Sequence, residues 1–325
     1  MSSTTKPFTV TRVLGGAELS LRRLAFAVPH VRVTRRTLQV ALGMFWLLDG
    51  VLQLQPFMLT TSFATQVLAP VGDGQPQFVA GPVHWAANLV AAHPVAWDMP
   101  FAIMQLALGL GMFVPRTARL ALTASVPWAL GVWYLGEGLS GLASGKSSLL
   151  SGAPGSVFVY GLVALAAWPR RGRSDIVPPR WLPIAWAALW VGAAVLQILP
   201  MNNTGADVAG AMTAAGSPSW MAGFENSLAG WVTHHGLLAV AVLVLAELLI
   251  GLAALHRRTI AVGATAGLLL AIAIWVIGQD FGQLYTGRAT DPNTGPIIGI
   301  MAVALLFGYR RAPAFSPVNR RHARC

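Results

Sequence analysis

Eight apolar runs pace the chain, at about residues 37–56, 97–115, 118–138, 154–168, 181–200, 236–255, 259–281 and 295–309. They are continuously apolar and do not alternate with a period of two, so each reads as a helix buried on all sides rather than a strand. At about 1.5 Å per residue, a run of roughly twenty residues reaches across the ~30 Å hydrocarbon core of a bilayer. The pattern therefore predicts an all-α polytopic transmembrane protein with eight spans. Tight basic turns, holding Arg116 and Arg119 or Arg257 and Arg258, join spans two to three and six to seven. Two long segments, 57–96 and 201–235, follow the first span of each set of four. The earlier one carries Gly/Pro turns and a Trp-flanked, half-apolar piece around Val83–Ala92.

The two sets of four resemble each other in sequence. WYLGEGLSGLASGKSSLLSGAP at 133–154 returns as WVIGQDFGQLYTGRATDPNTGP at 275–296. A single offset of 142 places Trp133 on Trp275, Gly145 on Gly287, Lys146 on Arg288, Glu137 on Gln279 and Pro154 on Pro296. The same offset matches His93 with His235, Gln105 with Glu247, Gly109 with Gly251 and Arg116 with Arg258. An internal duplication covering most of the chain follows. It divides the protein into a basic N-terminal segment 1–36, a first membrane repeat 37–169, a basic linker 170–180, a second repeat 181–309 and a basic tail 310–325. Four spans per repeat is an even number, so both repeats enter the membrane alike. The expected symmetry is a pseudo-twofold along the membrane normal.

Composition supports a membrane class: 55% of residues are hydrophobic and only 10% charged, where soluble domains carry about a quarter charged. The net charge of +11 would suggest nucleic acid in a soluble protein. Here its distribution argues otherwise. With a cytoplasmic N-terminus, 20 of the 22 Lys and Arg lie inside, leaving only Lys146 and Arg288 outside. That asymmetry fixes both termini in the cytosol, as for a multi-pass protein of a bacterial inner membrane, with the lipid bilayer as partner and nucleic acid excluded. The piece AELSLRRLAFAV at 17–28 reads as a short amphipathic helix on the inner leaflet, and residues 1–36 lack the apolar core of a cleavable leader. The single cysteine, Cys325, allows no disulfide and no dithiol pair within the chain.

Candidate chemistry concentrates where polar residues interrupt this plan. Lys146 and Arg288 each precede an unusually short final span whose N-terminus, with its free N–H groups, faces them. A cation beside a helix N-terminus forms an anion or head-group site. The alternative pairs Lys146 with Glu137 and Arg288 with Asp280, as ion pairs that pin loops. Asp49 and Glu247 lie inside spans, where an ionised carboxylate costs several kcal/mol and so must be protonated, paired or wet. Gln53 shares a face with Asp49 four residues earlier, and Gln105 stands where the second repeat has Glu247. These residues suit proton relay or inter-helix hydrogen bonding. Among the histidines only His93 and His235 coincide in the repeat; interfacial anchoring accounts for them, metal binding is the alternative, and no metal site is assigned. Trp85, Trp97, Trp220 and Trp231 flank the long segments as an interfacial belt. No Ser/His/Asp set, catalytic carboxylate pair or CxxC is present, so no catalytic residue is assigned.

The stretch AELLIGLAALHRRTIAVGATAGLLLAI at 246–272 places an acid, Glu247, before Gly251, an apolar stretch, the basic turn Arg257-Arg258 and a small-residue helix. This pattern resembles the core of the DoxX/DoxD-like membrane family. MQLALGLGMFVPRTARLALTA at 104–124 is a second copy with Gln105 for the acid, and ALGMFWLLDGVLQLQP resembles the family's first helix. The resemblance implies two four-helix units fused in tandem. It also implies association with thiosulfate:quinone oxidoreductase or other membrane redox complexes, hence a quinone as cofactor and a membrane redox partner. Any enzymatic role would be that of an accessory subunit. A transporter or channel with its path between the repeats, using Asp49 and Glu247, is the main alternative. A scaffold without ligand is the third.

Overall fold

The computed structural model of the chain describes residues 33–169, 178–214 and 216–308. Most of the N-terminal segment and of linker 170–180, and all of tail 310–325, lie outside the described residues. Among those described, every regular element is helical.

Helix α1, Arg35–Leu52, starts at Thr34, whose hydroxyl accepts the Thr37 N–H at 3.1 Å. An irregular helical stretch at 61–72 leads into α2, Gln77–Ala92. Then come α3, Pro94–Phe113, α4, Ala118–Leu135, and, beyond a 3₁₀ turn at 138–144, α5, Ser156–Ala166. The remaining helices are α6, Leu182–Gln197, α7, Gly205–Thr213, α8, Ser219–His234, α9, Gly236–Ala253, and α10, Ile260–Ile277. A second 3₁₀ turn at 280–283 precedes α11, Thr294–Gly308. Proline at the first position of α3 costs no hydrogen bond there, and Thr204 with Asp207 closes a capping box on α7. Each of the eight apolar runs contains one helix. The long segments 57–96 and 201–235 are themselves largely helical, in α2, α7 and α8.

Helices α3, α9 and α10 are long and apolar enough to cross a membrane; α5, α6 and α11 are apolar but shorter. Apolar side chains fill the core and also cover the flanks, while a set of polar side chains lies inside. Leu237, Leu238, Val242, Leu245, Leu249 and Leu252 of α9 are each more than half exposed, an apolar stripe the full length of the helix. Gln39, Asp49, Gln53, Asp98, Gln105, Gln197 and Glu247 are buried.

Helix packing follows the small residues. A Cβ on Gly109 of α3 would stand 2.7 Å from the carbonyl of Gly43 in α1, so these backbones touch. A Cβ on Gly251 of α9 would stand 3.1 Å from the carbonyl of Ala187 in α6. In both cases the missing side chain sets the crossing. Helices α5 and α11 pack on each other and on α1 at the centre. Helix α11 is buried around its whole circumference, including Ile297, Ile298, Met301 and Leu305. A helix so enclosed needs no amphipathic stripe, and its sequence has none.

Candidate functional site

The turns before α5 and α11 build the site. Glu137, just past α4, turns back onto the start of α5: its Oε1 accepts the Ser156 hydroxyl at 2.9 Å and the Val157 N–H at 3.4 Å, and its Oε2 accepts the Ser140 hydroxyl at 3.1 Å. The carboxylate thereby satisfies an N–H that a helix N-terminus leaves without an intrahelical partner. Gln279 does the corresponding task for α11 with a neutral amide. Its Oε1 accepts the Gly295 N–H at 3.1 Å, and its Nε2 donates to Thr294 Oγ1 at 2.7 Å and to the Leu149 carbonyl at 3.1 Å. The indole N–H of Trp133 donates to the Pro154 carbonyl at 2.6 Å and that of Trp275 to the Pro292 carbonyl at 2.8 Å. The two carbonyls lie 21 and 17 residues beyond their tryptophans, so the fixed offset, which pairs Pro154 with Pro296, does not extend to this contact. Gly145 and Gly287 keep the offset, and both are left-handed, with φ of 72° and 73°.

Each loop then crosses to the other side. The first reaches α6 and α10: Asn202 Nδ2 donates to the carbonyls of Gly145 at 3.1 Å and Ser147 at 3.0 Å, and the Leu149 carbonyl meets Gln279. The second reaches back past α1: Gln55 Nε2 donates to the Ala289 carbonyl at 3.2 Å, and the Arg288 guanidinium stands 4.9 Å from the centre of the Phe57 ring. Between the crossed loops lies a polar vestibule of about 760 Å³. Lys146 and Arg288 both line it, with Glu137, Gln279, Asp291 and Ser156. Asp73, also on its wall, faces His84 at 3.5 Å.

A second cavity of about 270 Å³ lies inside the bundle of α1 to α4, lined by Asp49, Gln53, Phe101, Gln105, Trp128 and Gly131 among others. Val67, Gly136, Glu137, Thr290 and Asp291 line both cavities and form a shared wall. The pocket exists because Pro127 and Gly131, one turn apart on α4, leave volume that larger side chains would fill; a Cβ on Gly131 meets nothing within 4 Å. Tyr160 of α5 donates its hydroxyl to Asp49 Oδ1 at 3.3 Å, and Gln53 donates to Asp98 of α3.

The residues singled out in the sequence thus divide. Lys146, Arg288 and Glu137 meet in the vestibule; Asp49, Gln53 and Gln105 meet in the pocket. Among the described residues no ion pair joins Glu137 to Lys146 or Asp280 to Arg288. Asp280 is fully buried, with Ser217 and Glu225 as polar neighbours, and does not line the vestibule. Burial and the Asp280 carboxylate together push the Glu225 carboxyl up to about 7. Glu247 is 1% exposed on α9 and lines neither cavity. His93 caps α3, and His235 stacks on Trp231 with ring centres 4.4 Å apart. Among the described residues no group of three metal-ligating side chains forms. Asp291, Asp98 and Tyr160 were not singled out in the sequence. Their one available signal was a polar residue placed to reach an intramembrane acid, and that needs the tertiary path of the chain.

Fold and site together define an all-helical protein, apolar on its flanks, with helices able to cross a membrane and a polar vestibule at one end. Comparisons of the chain with protein families, with curated proteins and with solved structures return no match.

Proposed function

We propose that the chain is an eight-span membrane protein of two like-oriented DoxX-like repeats that holds a polar or anionic head group in the vestibule at the outer face of a bacterial inner membrane. On this reading it serves as the membrane subunit of a redox complex, and the ligand is a quinone, a lipid head group or a sulfur oxyanion. The observation that carries the reading is the convergence of Lys146 and Arg288. These are the two basic residues that the charge distribution assigns to the outside, and they arrive from different repeats to line one cavity. The paired caps at Glu137 and Gln279, and the paired glycine contacts at Gly109 and Gly251, support the duplication. The test is titration of the purified protein with thiosulfate, sulfate and a short-chain quinone. Saturable binding that weakens at least tenfold in Lys146→Ala/Arg288→Ala is expected. Failure of all three ligands to bind, or binding indifferent to that double substitution, refutes the reading.

A transport reading is favoured by one observation: the vestibule and the pocket holding Asp49 share the wall of Val67, Gly136, Glu137, Thr290 and Asp291. A path would then run through the first repeat and leave Glu247 aside. Solute flux into proteoliposomes lost in Asp49→Asn and kept in Glu247→Gln would select it.

A further inference from the structure

The pocket inside α1 to α4 is chemically unlike the vestibule. Three carboxylates line it, Asp49, Glu137 and Asp291, and no lysine or arginine does. Asp291 lies within electrostatic reach of both other acids. Asp49 Oδ2 and Gln105 Oε1 have no hydrogen-bond partner, although Asp49 is 1% and Gln105 7% exposed. Such groups are costly when buried unmet, so they point to something absent from the chain itself. The remaining wall is apolar and aromatic: Phe63, Phe101 and Trp128 line it, and the last two rings stand 5.8 Å apart. Aromatic faces attract cations as carboxylates do, and they also bury an apolar body. The indole N–H of Trp128, likewise without a partner, is neutral and leaves the charge balance unchanged.

We infer that this pocket is a second binding site, distinct from the vestibule, and that its ligand is an organic monocation with an aromatic or otherwise apolar body: a lipophilic amine. The ammonium group would donate to Asp49 Oδ2 and Gln105 Oε1, the two acceptors left open. Its charge would offset these acids, none of which forms an ion pair with a lysine or arginine among the described residues. Its hydrocarbon part would lie against Phe63, Phe101 and Trp128. An anion is disfavoured here by the three carboxylates, so the two cavities select ligands of opposite charge.

The experiment compares three isosteres by calorimetric titration of the full-length protein in detergent micelles at pH 8: 1-naphthylmethylamine, 1-naphthylmethanol and 1-naphthoate. The amine should bind saturably and at least about tenfold more tightly than the alcohol, with no saturable binding of the carboxylate, because only the amine makes charge-assisted hydrogen bonds. Asp49→Asn should weaken the amine about tenfold or more. Gly131→Leu should abolish binding by filling the pocket. That second substitution keeps the test valid should the first unfold the protein, since leucine favours a helix interior over glycine by up to about 1 kcal/mol. The inference is overturned if amine and alcohol bind within threefold of each other, if the naphthoate binds as well as the amine, or if a folded Gly131→Leu protein binds the amine unchanged.

Discussion

The cap on α5 allows one contact to be perturbed in two graded ways. Glu137 accepts three hydrogen bonds, from Ser140, Ser156 and Val157. Glu137→Ala removes all three and leaves the Val157 N–H facing a void, at about 1 kcal/mol per bond, hence roughly 3 kcal/mol in total. Glu137→Gln should cost less than about 1 kcal/mol, because an amide oxygen still accepts from Val157 and Ser156 while the amide nitrogen donates to the Ser140 oxygen. The second half shows that an amide suffices: Gln279 caps α11 through Gly295 and Thr294. Reversible unfolding in mixed micelles, by titrating sodium dodecyl sulfate and following tryptophan fluorescence, measures both variants against the parent. Gln279→Ala provides an internal control and should lose about as much as Glu137→Ala, since it too gives up three bonds. Were Glu137→Ala to unfold within about 0.5 kcal/mol of the parent, or Glu137→Gln to lose as much as the alanine, the carboxylate would not be acting as a cap.

Three further outcomes are expected. The Glu225 carboxyl, raised by burial and Asp280 to about 7 from an ordinary 4.5, binds its proton more tightly in the folded state. Stability should therefore be greatest below about pH 4.5, fall as pH rises through 7 and then level off; Glu225→Gln should flatten that profile in thermal melts. In a Cys325→Ser background, Lys146→Cys and Arg288→Cys should react with an impermeant maleimide applied to intact cells, whereas Arg116→Cys should react only after lysis; labelling of Lys146→Cys and Arg171→Cys from one side would refute the eight-span topology. Gly109→Val and Gly251→Val should each destabilise by at least about 2 kcal/mol in the same micelle titration, because the added atoms enter the α1 and α6 backbones, while Gly131→Val in open space should not.

The helices were legible because hydrophobic continuity is a local signal: the apolar runs at 97–115 and 236–255 meet α3, Pro94–Phe113, and α9, Gly236–Ala253, to within about a turn. The pairing of Lys146 with Arg288 was legible because a repeated glycine precedes each. The partner of Glu137 was not, since the acid and the N–H it caps are twenty residues apart and joined by a loop whose path depends on the other half. Leu139, Ser140 and Phe281 illustrate the same limit. They sit at positive φ without being glycine, a conformation that local preference disfavours and only surrounding contacts sustain. Asp280 reads in sequence as a partner for Arg288 eight residues on, yet burial draws it inward beside Glu225.

If the two halves are repeats, as proposed, the crossing of the two loops bears on how such a protein becomes asymmetric. The first loop meets the second half through the backbone carbonyls of Gly145, Ser147 and Leu149 and brings no carboxylate to it. The second loop delivers a carboxylate, Asp291, to a cavity that already holds Asp49 and Glu137. On the repeat reading, the positions matching Asp49, Asp98 and Glu137 in the second half are Ala193, Val240 and Gln279. These three acids of the first half thus have neutral counterparts, and the cap survives the change because an amide can make it. The exchange runs the other way at Glu225, Glu247 and Asp280, which match Val83, Gln105 and Gly138, so each half keeps buried acids of its own without loss of the hydrogen bonds that hold either short helix. The pocket's carboxylates come from both halves, and separating the halves would remove Asp291 from it. A first half expressed alone should keep Asp49 and yet bind the amine more weakly than the whole chain does; equal affinity would show that the crossed loop contributes nothing to the pocket.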